Sequence, residues 1–321
     1  NAGAAILEIN SKTGLYPLYV TYSIFRAKCA ACSVEQPVAA LQQKLWDETV
    51  RENIFVICKT PMAKSITRRT LVGFREAAAN LYSPEKLIDK LKNKSEAEKF
   101  TRKVLKKSFW NQNGGGNMKF NAVVGNPPYQ LTDGSGGTND APIYQHFVEA
   151  AQKLTSQYAS LIIPSRWFTT GRENLLGDFR ASMLNNPGIR MLFAFTNSHD
   201  VFPTVEIKGG LCYYLYDADY SGDCLYTLVQ NGQRSATKRR LGDFDILIRE
   251  PQLAAIVKKV AEQIPQDEET VSSLISSDTP FGIPTNPQSS KKNPIPVFEN
   301  ADKGHDTKLL YLDKAERKIA Y

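Results

Sequence analysis

The sequence predicts an α/β fold: a mostly parallel sheet flanked by helices, an antiparallel edge strand, and part of a second domain behind it. Three observations carry this prediction. Short apolar runs alternate with amphipathic segments, the pattern of strands joined by crossover helices. The run "KFNAVVG" (119–125) is too apolar to face water on either side, which suits a central parallel strand. The runs "IRMLFAF" and "GGLCYYLYD" are separated only by "TNSHDVFPTVEIKG", with no helix between them, which suits an antiparallel pair at the sheet's edge.

Taken in order, "AAILEI" (4–9) reads as a strand and "NSKTG" as a turn. "LYPLYVTYSIFRAK" then supplies the aromatic and aliphatic positions of a helix. Residues 37–50 read as a helix opening on Pro37, with Leu41, Leu45 and Trp46 on one face, and "NIFVICK" reads as the next strand. Only that one convincing strand lies between "AAILEI" and "KFNAVV". In "SPEKLIDKL", Ser83 is a candidate N-cap with Pro84 in the first turn. "NQNGGGN" (111–117) and "QLTDGSGGTNDAP" (130–142) read as loops, "IYQHFVEAAQKL" as an amphipathic helix, and "YASLIIPSRWF" as a strand ending near Pro164 and Ser165. From about residue 219 the pattern changes to short polar segments, one helix near 250–263, and a proline-rich stretch. A first domain is therefore expected over 1–218, with a linker and the start of a second over 219–321.

The chain has 321 residues, 42% apolar and 23% charged, which excludes a disordered or membrane class. No apolar run approaches a bilayer span. The opening residues lack a secretory signal and do not begin with Met, so a piece of a longer cytoplasmic protein with reduced thiols is expected. Cys29 and Cys32 form a CxxC, but Cys58, Cys212 and Cys224 are scattered, so no metal site is expected. The net charge of +7 is uneven: Lys59 to Lys107 holds 14 Lys or Arg against 5 Asp or Glu, leaving −2 for the remainder. Such a block attracts polyanions, although a solvated helical face has the same composition.

The chemistry-bearing stretch is "VVGNPPYQ" (123–130). An apolar strand ends in an amide, Asn126, followed by the rigid pair Pro127 and Pro128 and an aromatic ring, Tyr129. Ligands of open α/β sheets bind beyond the carboxyl ends of the strands, where both this motif and "LEINSKTG" fall. This order of motifs resembles the S-adenosylmethionine-dependent DNA methyltransferases acting on adenine N6, specifically the methylase part of fused type II restriction-modification enzymes. The segments "YASLIIPSRWF" and "FGIPTN" (281–286), the latter like a junction to a target-recognition domain, extend the resemblance over about residues 4–290.

The resemblance implies a Rossmann-like class I methyltransferase sheet, S-adenosylmethionine as cofactor, and double-stranded DNA as partner. It casts Asn126, Pro127, Pro128 and Tyr129 as the catalytic set. An exocyclic amine is a poor nucleophile because its lone pair is delocalised. Acceptors at the Asn126 side-chain oxygen and the Pro127 carbonyl would favour a pyramidal nitrogen with its lone pair aimed at the methyl group. Tyr129 would stack on a base extruded from the duplex.

In "DVFPTVEIKGG", Phe202 is the implied second aromatic and Lys208 a substrate contact, though the residue types equally allow Phe202 to pack beneath its loop. Glu8, Asn10 and Gly14 mark the cofactor side. "INSKT" lacks the second glycine usual there, and Lys59 stands where an acid for the ribose is expected. The same tetrapeptide also serves glutamine methylation in proteins and some RNA modification, and the missing glycine leaves room for a non-catalytic DNA-binding module. No nuclease motif is evident.

Overall fold

The computed structural model describes residues 2–32, 38–110, 112, 115–131, 141–170 and 173–263, together with three short strands further on. The chain divides into two compact units, Asn1–Ile256 and Val257–Tyr321.

The first unit is built on one nine-stranded sheet. In chain order its strands are β1 (Ile6–Ser11), β2 (Ile54–Cys58), β3 (Asn80–Tyr82), β4 (Phe120–Gly125), β7 (Thr155–Pro164), β8 (Ile189–Phe195), β9 (Leu211–Asp217), β10 (Cys224–Gln230) and β11 (Gln233–Arg239). Their spatial order is β11-β10-β8-β9-β7-β4-β1-β2-β3. The two-residue strands β5 (Gln130–Leu131) and β6 (Ala141–Pro142) pair with each other apart from it. From β3 to β7 neighbouring strands are parallel, β9 runs antiparallel to both β7 and β8, and β10 returns parallel to β8.

The expected antiparallel pair is thus formed by β8 and β9, but it lies inside the sheet. The antiparallel edge strand is β11. The polar-looking stretch after 219 contributes β10, whose Cys224, Tyr226 and Leu228 are buried in the core. The boundary expected after residue 218 therefore falls within the first compact unit.

Residues along β2 show why the sheet is covered on both faces. All five are buried, with Phe55 and Ile57 in one apolar cluster and Ile54, Val56 and Cys58 in another. Alternation along a strand sends neighbours to opposite faces, so each face carries its own core. The second cluster is closed by α1 (Leu15–Ala31), α2 (Ala39–Asn53) and α3 (Pro61–Val72). Trp46 on α2 donates from Nε1 to the Leu71 carbonyl at 2.8 Å. Helix α3 starts where Thr60 accepts from the Ala63 amide, with Pro61 in the first turn, where its missing donor costs nothing. The other cluster is closed by α4 (Leu87–Lys92), α5 (Lys94–Val104), α6 (Tyr144–Leu154) and α7 (Glu173–Leu184).

Two local expectations are corrected. A second strand, β3, lies between β2 and β4. It is three residues long, too short for a periodic signal, and is held to its surroundings by Asn80 Nδ2 donating to the Ile54 carbonyl at 2.9 Å and to the Arg51 carbonyl at 2.7 Å. The helix after it starts at Leu87, not at Ser83: Lys86 has φ 51, which breaks any earlier turn, and the Ser83 hydroxyl is buried without a hydrogen-bond partner among the described residues. The helix expected over 37–50 is α2, and Pro37 lies outside the described residues.

Helix α8 (Pro251–Ala261) starts in the first unit and runs past the division at residue 256, and in the second unit β12 (Ile295–Pro296), β13 (Leu309–Leu312) and β14 (Ile319–Ala320) form a small antiparallel sheet. "FGIPTN" lies outside the described residues.

Candidate active site

The parallel topology brings the sequence-predicted residues to one edge of the sheet. β1, β4, β7 and β8 all end there and β9 begins there, so residues 10–14, 126–129, 165–166 and 196–210 are neighbours at the carboxyl ends.

β4 approaches β1 closely at this edge. A Cβ on Gly125 would lie 2.5 Å from the Ile9 carbonyl oxygen, so only glycine fits immediately before Asn126. The pairing of β1 with β2 shifts register between Ile9 and Ser11, which leaves Asn10 as a bulge residue with φ 72. Asn10 is buried, and its side-chain Nδ2 donates to the main-chain carbonyl of Asn126 at 3.0 Å. The end of the candidate cofactor strand is thereby tied to the tetrapeptide. Asparagine tolerates a left-handed backbone better than most residues, so Asn10 supplies the turn for which a second glycine was expected.

Glu8 sits two residues before this bulge, only 6% exposed. Its Oε2 atom has no hydrogen-bond partner among the described residues. Burial pushes its carboxyl from the ordinary 4.5 to about 7, with the Ser11 hydroxyl opposing. Gly14 has φ 77 and caps the N-terminus of α1, where a Cβ would press on Thr67 of α3 at 2.9 Å from its Cα. Tyr16, which the sequence reading treated only as a helix position, has its phenol raised by burial and by the Glu8 carboxylate. The Tyr129 hydroxyl is buried without a hydrogen-bond partner among the described residues, and its acidity is suppressed by burial, then by Cys212 and Tyr16.

Asn126 is half-buried, Pro127 is buried, and Pro128 and Tyr129 are partly exposed. Tyr129 also lines a cavity of about 650 Å³, together with Tyr144, Pro164, Arg166, Ile207 and Lys208 among others; Asn126, Pro127 and Pro128 are not among its lining residues. Phe202 is not among its lining residues. It is half-buried, and its amide donates to the Ser198 carbonyl at 2.8 Å. Of the two expected aromatic walls the structure places Tyr129 at the cavity, and Tyr144 provides another ring.

Tyr144 and Arg166 were missed because the first reads as one position of a helix face and the second as the end of a strand. Arg166 donates from Nε to the Lys208 carbonyl at 3.3 Å, and Arg249 donates to the Gly209 carbonyl at 2.6 Å. The loop bearing Lys208 is thus tied down from two sides. Gly209 and Gly210 both have positive φ, as expected for "EIKGG", and a side chain on Gly210 would collide with the Phe195 carbonyl.

Lys59, standing where an acid was expected, donates its amide to the Ser11 carbonyl at 2.9 Å, and its charge lowers the Lys12 ammonium below its usual range after burial has done so. The basic block is spread over α3, α4, α5 and the adjoining turns. Several members have local partners: Arg75 pairs with Asp47, Lys99 with Glu96, and Arg68 donates to the Ala77 and Arg75 carbonyls. Among the described residues, no group of three or more His, Cys, Asp or Glu could hold a metal ion, and no helix is long and apolar enough to cross a membrane.

Residues 52–202 match the Eco57I restriction-modification methylase family. The matched region contains the tetrapeptide, Tyr144, Arg166 and Phe202, whereas Glu8, Asn10, Gly14 and Lys208 lie outside it. A curated "Uncharacterized adenine-specific methylase" of Mycoplasma pneumoniae is 41% identical over 112 residues, which is 34% of this chain and 26% of that protein. The alignment thus spans about a quarter of the relative's length.

Among solved structures, the type I restriction-modification methyltransferase subunit of Streptococcus thermophilus aligns over 83% of this chain and 49% of its own, with 12% identity and TM-score 0.40. The type IIL restriction-modification enzyme MmeI, in complex with DNA, aligns over 74% and 34%, with 10% identity and TM-score 0.45.

Proposed function

We propose that this chain transfers a methyl group from S-adenosylmethionine to the N6 amino group of an adenine extruded from duplex DNA, as the modification activity of a cytoplasmic restriction-modification system. The observation that carries this reading is the Asn10 to Asn126 hydrogen bond, which holds a buried-acid strand end against an Asn-Pro-Pro-Tyr turn at the mouth of a cavity. The family match over 52–202 and the adenine-specific relative support it.

The residues at β1 fit the cofactor. Glu8 keeps a buried carboxylate oxygen without a partner among the described residues, suited to a cationic or hydroxyl-bearing ligand. Asn10 and Gly14 both take left-handed backbone there, which keeps the turn tight. When bound, S-adenosylmethionine supplies the electrophilic methyl group. Everything else falls to the chain.

The Asn126 side-chain oxygen and the Pro127 carbonyl would accept hydrogen bonds from the two N6 hydrogens and direct the nitrogen lone pair toward the methyl carbon; the N–C bond would form as the bond from that carbon to sulfur breaks, S-adenosylhomocysteine would leave, and one N6 proton would pass to water. Proline at 127 and 128 removes main-chain donors that would compete for those acceptors. Tyr129 stacks on the purine, an interaction worth roughly 1–3 kcal/mol per base. Lys208 and the nearest members of the basic block meet the phosphates. The remainder beyond residue 257 is assigned to target recognition.

The test is methyl incorporation into genomic DNA from cells lacking adenine methylation, with a release-factor protein and RNA as competing substrates, read after enzymatic digestion as N6-methyl-2'-deoxyadenosine from DNA, methylated ribonucleosides from RNA and methylglutamine from protein. Asn126→Ala is expected to lose at least about 100-fold in rate, the scale of one lost oriented acceptor, while still binding S-adenosylhomocysteine. Labelling of the protein or RNA with none in DNA would refute the reading, as would an Asn126→Ala enzyme as fast as the parent.

A further inference from the structure

We infer that Asn10 is a positioning residue for the reaction, setting the plane of the Asn126–Pro127 peptide from the neighbouring strand. This rests on the methyltransferase reading above and assigns Asn10 a task beyond lining the cofactor side.

Three independent features single out Asn10. It is a register-shifting bulge at the carboxyl end of β1, and such bulges re-aim a side chain beside active sites. Its φ of 72 is a conformation that a non-glycine residue adopts at a cost, which persists where surrounding contacts over-determine it. It is only 3% exposed, and the re-aimed amide reaches across to the Asn126 carbonyl at 3.0 Å, 116 residues away in sequence.

That carbonyl belongs to the peptide linking the two residues proposed to grip the amine. Rotation of this peptide plane would swing the Pro127 carbonyl and redirect the Asn126 side chain together. The proline nitrogen has no hydrogen, so its side of the linkage cannot be held by a donated bond. Holding it from the carbonyl side is therefore the available means, and Asn10 provides that bond. Gly125 completes the arrangement, since its missing side chain lets the two strand ends come close enough for the bond to form.

Methyl transfer needs the amine aligned with its methyl donor, and a misplacement of about 1 Å costs on the order of 100-fold. Removing the bond is accordingly expected to slow the chemical step without abolishing cofactor binding.

The experiment compares the parent chain with Asn10→Gly and Asn10→Asp. Glycine accepts φ 72 without strain and removes only the side-chain bond. Aspartate retains shape but replaces the donor by a carboxylate facing a carbonyl. Measured quantities are kcat and KM for S-adenosylmethionine with adenine-unmethylated genomic DNA, S-adenosylhomocysteine affinity by calorimetry, and thermal unfolding.

The expected result is a kcat lowered about 10- to 100-fold in both variants, with KM and S-adenosylhomocysteine affinity within about threefold of the parent and unfolding temperature little changed. A kcat within twofold of the parent in Asn10→Gly would overturn the inference. So would a parallel loss of kcat and S-adenosylhomocysteine binding, which would make Asn10 a cofactor or folding residue only. A parent chain that methylates no DNA at all defeats the functional reading itself, an outcome visible before either variant is compared.

Discussion

Glu8 shows how one buried atom sets a pH response. Its folded pKa of about 7 lies above the ordinary 4.5, so the folded state holds the proton more tightly than the unfolded chain. The stability linked to this group is full below about pH 4.5 and declines as pH rises to about 7. The integrated loss is about 3 kcal/mol at most, at 1.36 kcal/mol per pKa unit. Urea unfolding of Glu8→Gln should lack this decline, and an identical pH slope in parent and variant would remove Glu8 as its source. The same ionisation bears on the cofactor: a cationic ligand group pairs with the carboxylate form, so S-adenosylhomocysteine should bind more tightly at pH 8 than at pH 6. The opposite trend would show that Glu8 does not meet a cation. At the other side of the site, Lys208 is exposed at the cavity, whereas Lys99 is engaged by Glu96. Lys208→Gln should reduce the slope of log affinity for DNA against log salt by about 0.9, the contribution of one phosphate contact, and Lys99→Gln should leave it unchanged.

At the scale of elements, the site depends on close approaches between strand ends. Gly125 lies where any Cβ would strike the Ile9 carbonyl, so Gly125→Ala must push β4 from β1 or twist the turn that follows. A destabilisation of about 1–3 kcal/mol is expected from such overpacking, together with slower methyl transfer, because the Asn10 bond crosses the same gap. Denaturant unfolding and the methylation assay check the two effects separately; an unchanged midpoint and rate would mean that the strand ends adjust freely. The loop between β8 and β9 is held by a different set: Ser198 Oγ donates to the Val205 carbonyl and accepts from the Ile207 amide, both at 2.9 Å, while Arg166 and Arg249 hold Lys208 and Gly209. A segment with few buried apolar side chains is thus fixed by polar contacts, which positions Lys208 at the cavity.

For the molecule as a whole, the relevant quantity is how far the sheet extends. β10 pairs with β8 from Leu225 to Val229 and buries Tyr226 fully, and β11 pairs with β10 along its whole length. A chain cut after residue 218 would expose β8 as a long apolar edge and open the core around Tyr226 and Leu228. Such a chain should aggregate or fail to unfold cooperatively, whereas one ending at residue 263 should remain folded. Circular dichroism and size-exclusion chromatography distinguish them, and a well-folded 1–218 fragment would contradict the assignment of β10 to this core. Both faces of the sheet are covered by helices, so the carboxyl edge, with its cavity, is where substrate can meet residues from several strands at once.

Much of this was legible in the chain itself, because the physics involved is local. The apolar run "NIFVIC" buries both faces and "KFNAVVG" pairs on both sides, with β1 and β7, so both declare themselves as central strands, and a strand running into Asn-Pro-Pro-Tyr marks the amide, the turn and the ring in consecutive positions. Where local signals were short or mixed, the pattern could not decide. β3 has three residues, the short apolar run of β10 sits among polar, turn-forming neighbours, and β11 is polar along its length and reads as loop until β10 is present to pair with. Asn10 gave no signal of its left-handed turn, and nothing in the order of residues could place it against a carbonyl 116 positions later. The sequence by itself determined which residues could grip an amine. Tertiary structure decided which of them meet, since only parallel pairing of β1 with β4 sets Asn10 beside Asn126, and only the packing of the β8–β9 loop leaves Lys208 at the cavity while Phe202 stays off its wall.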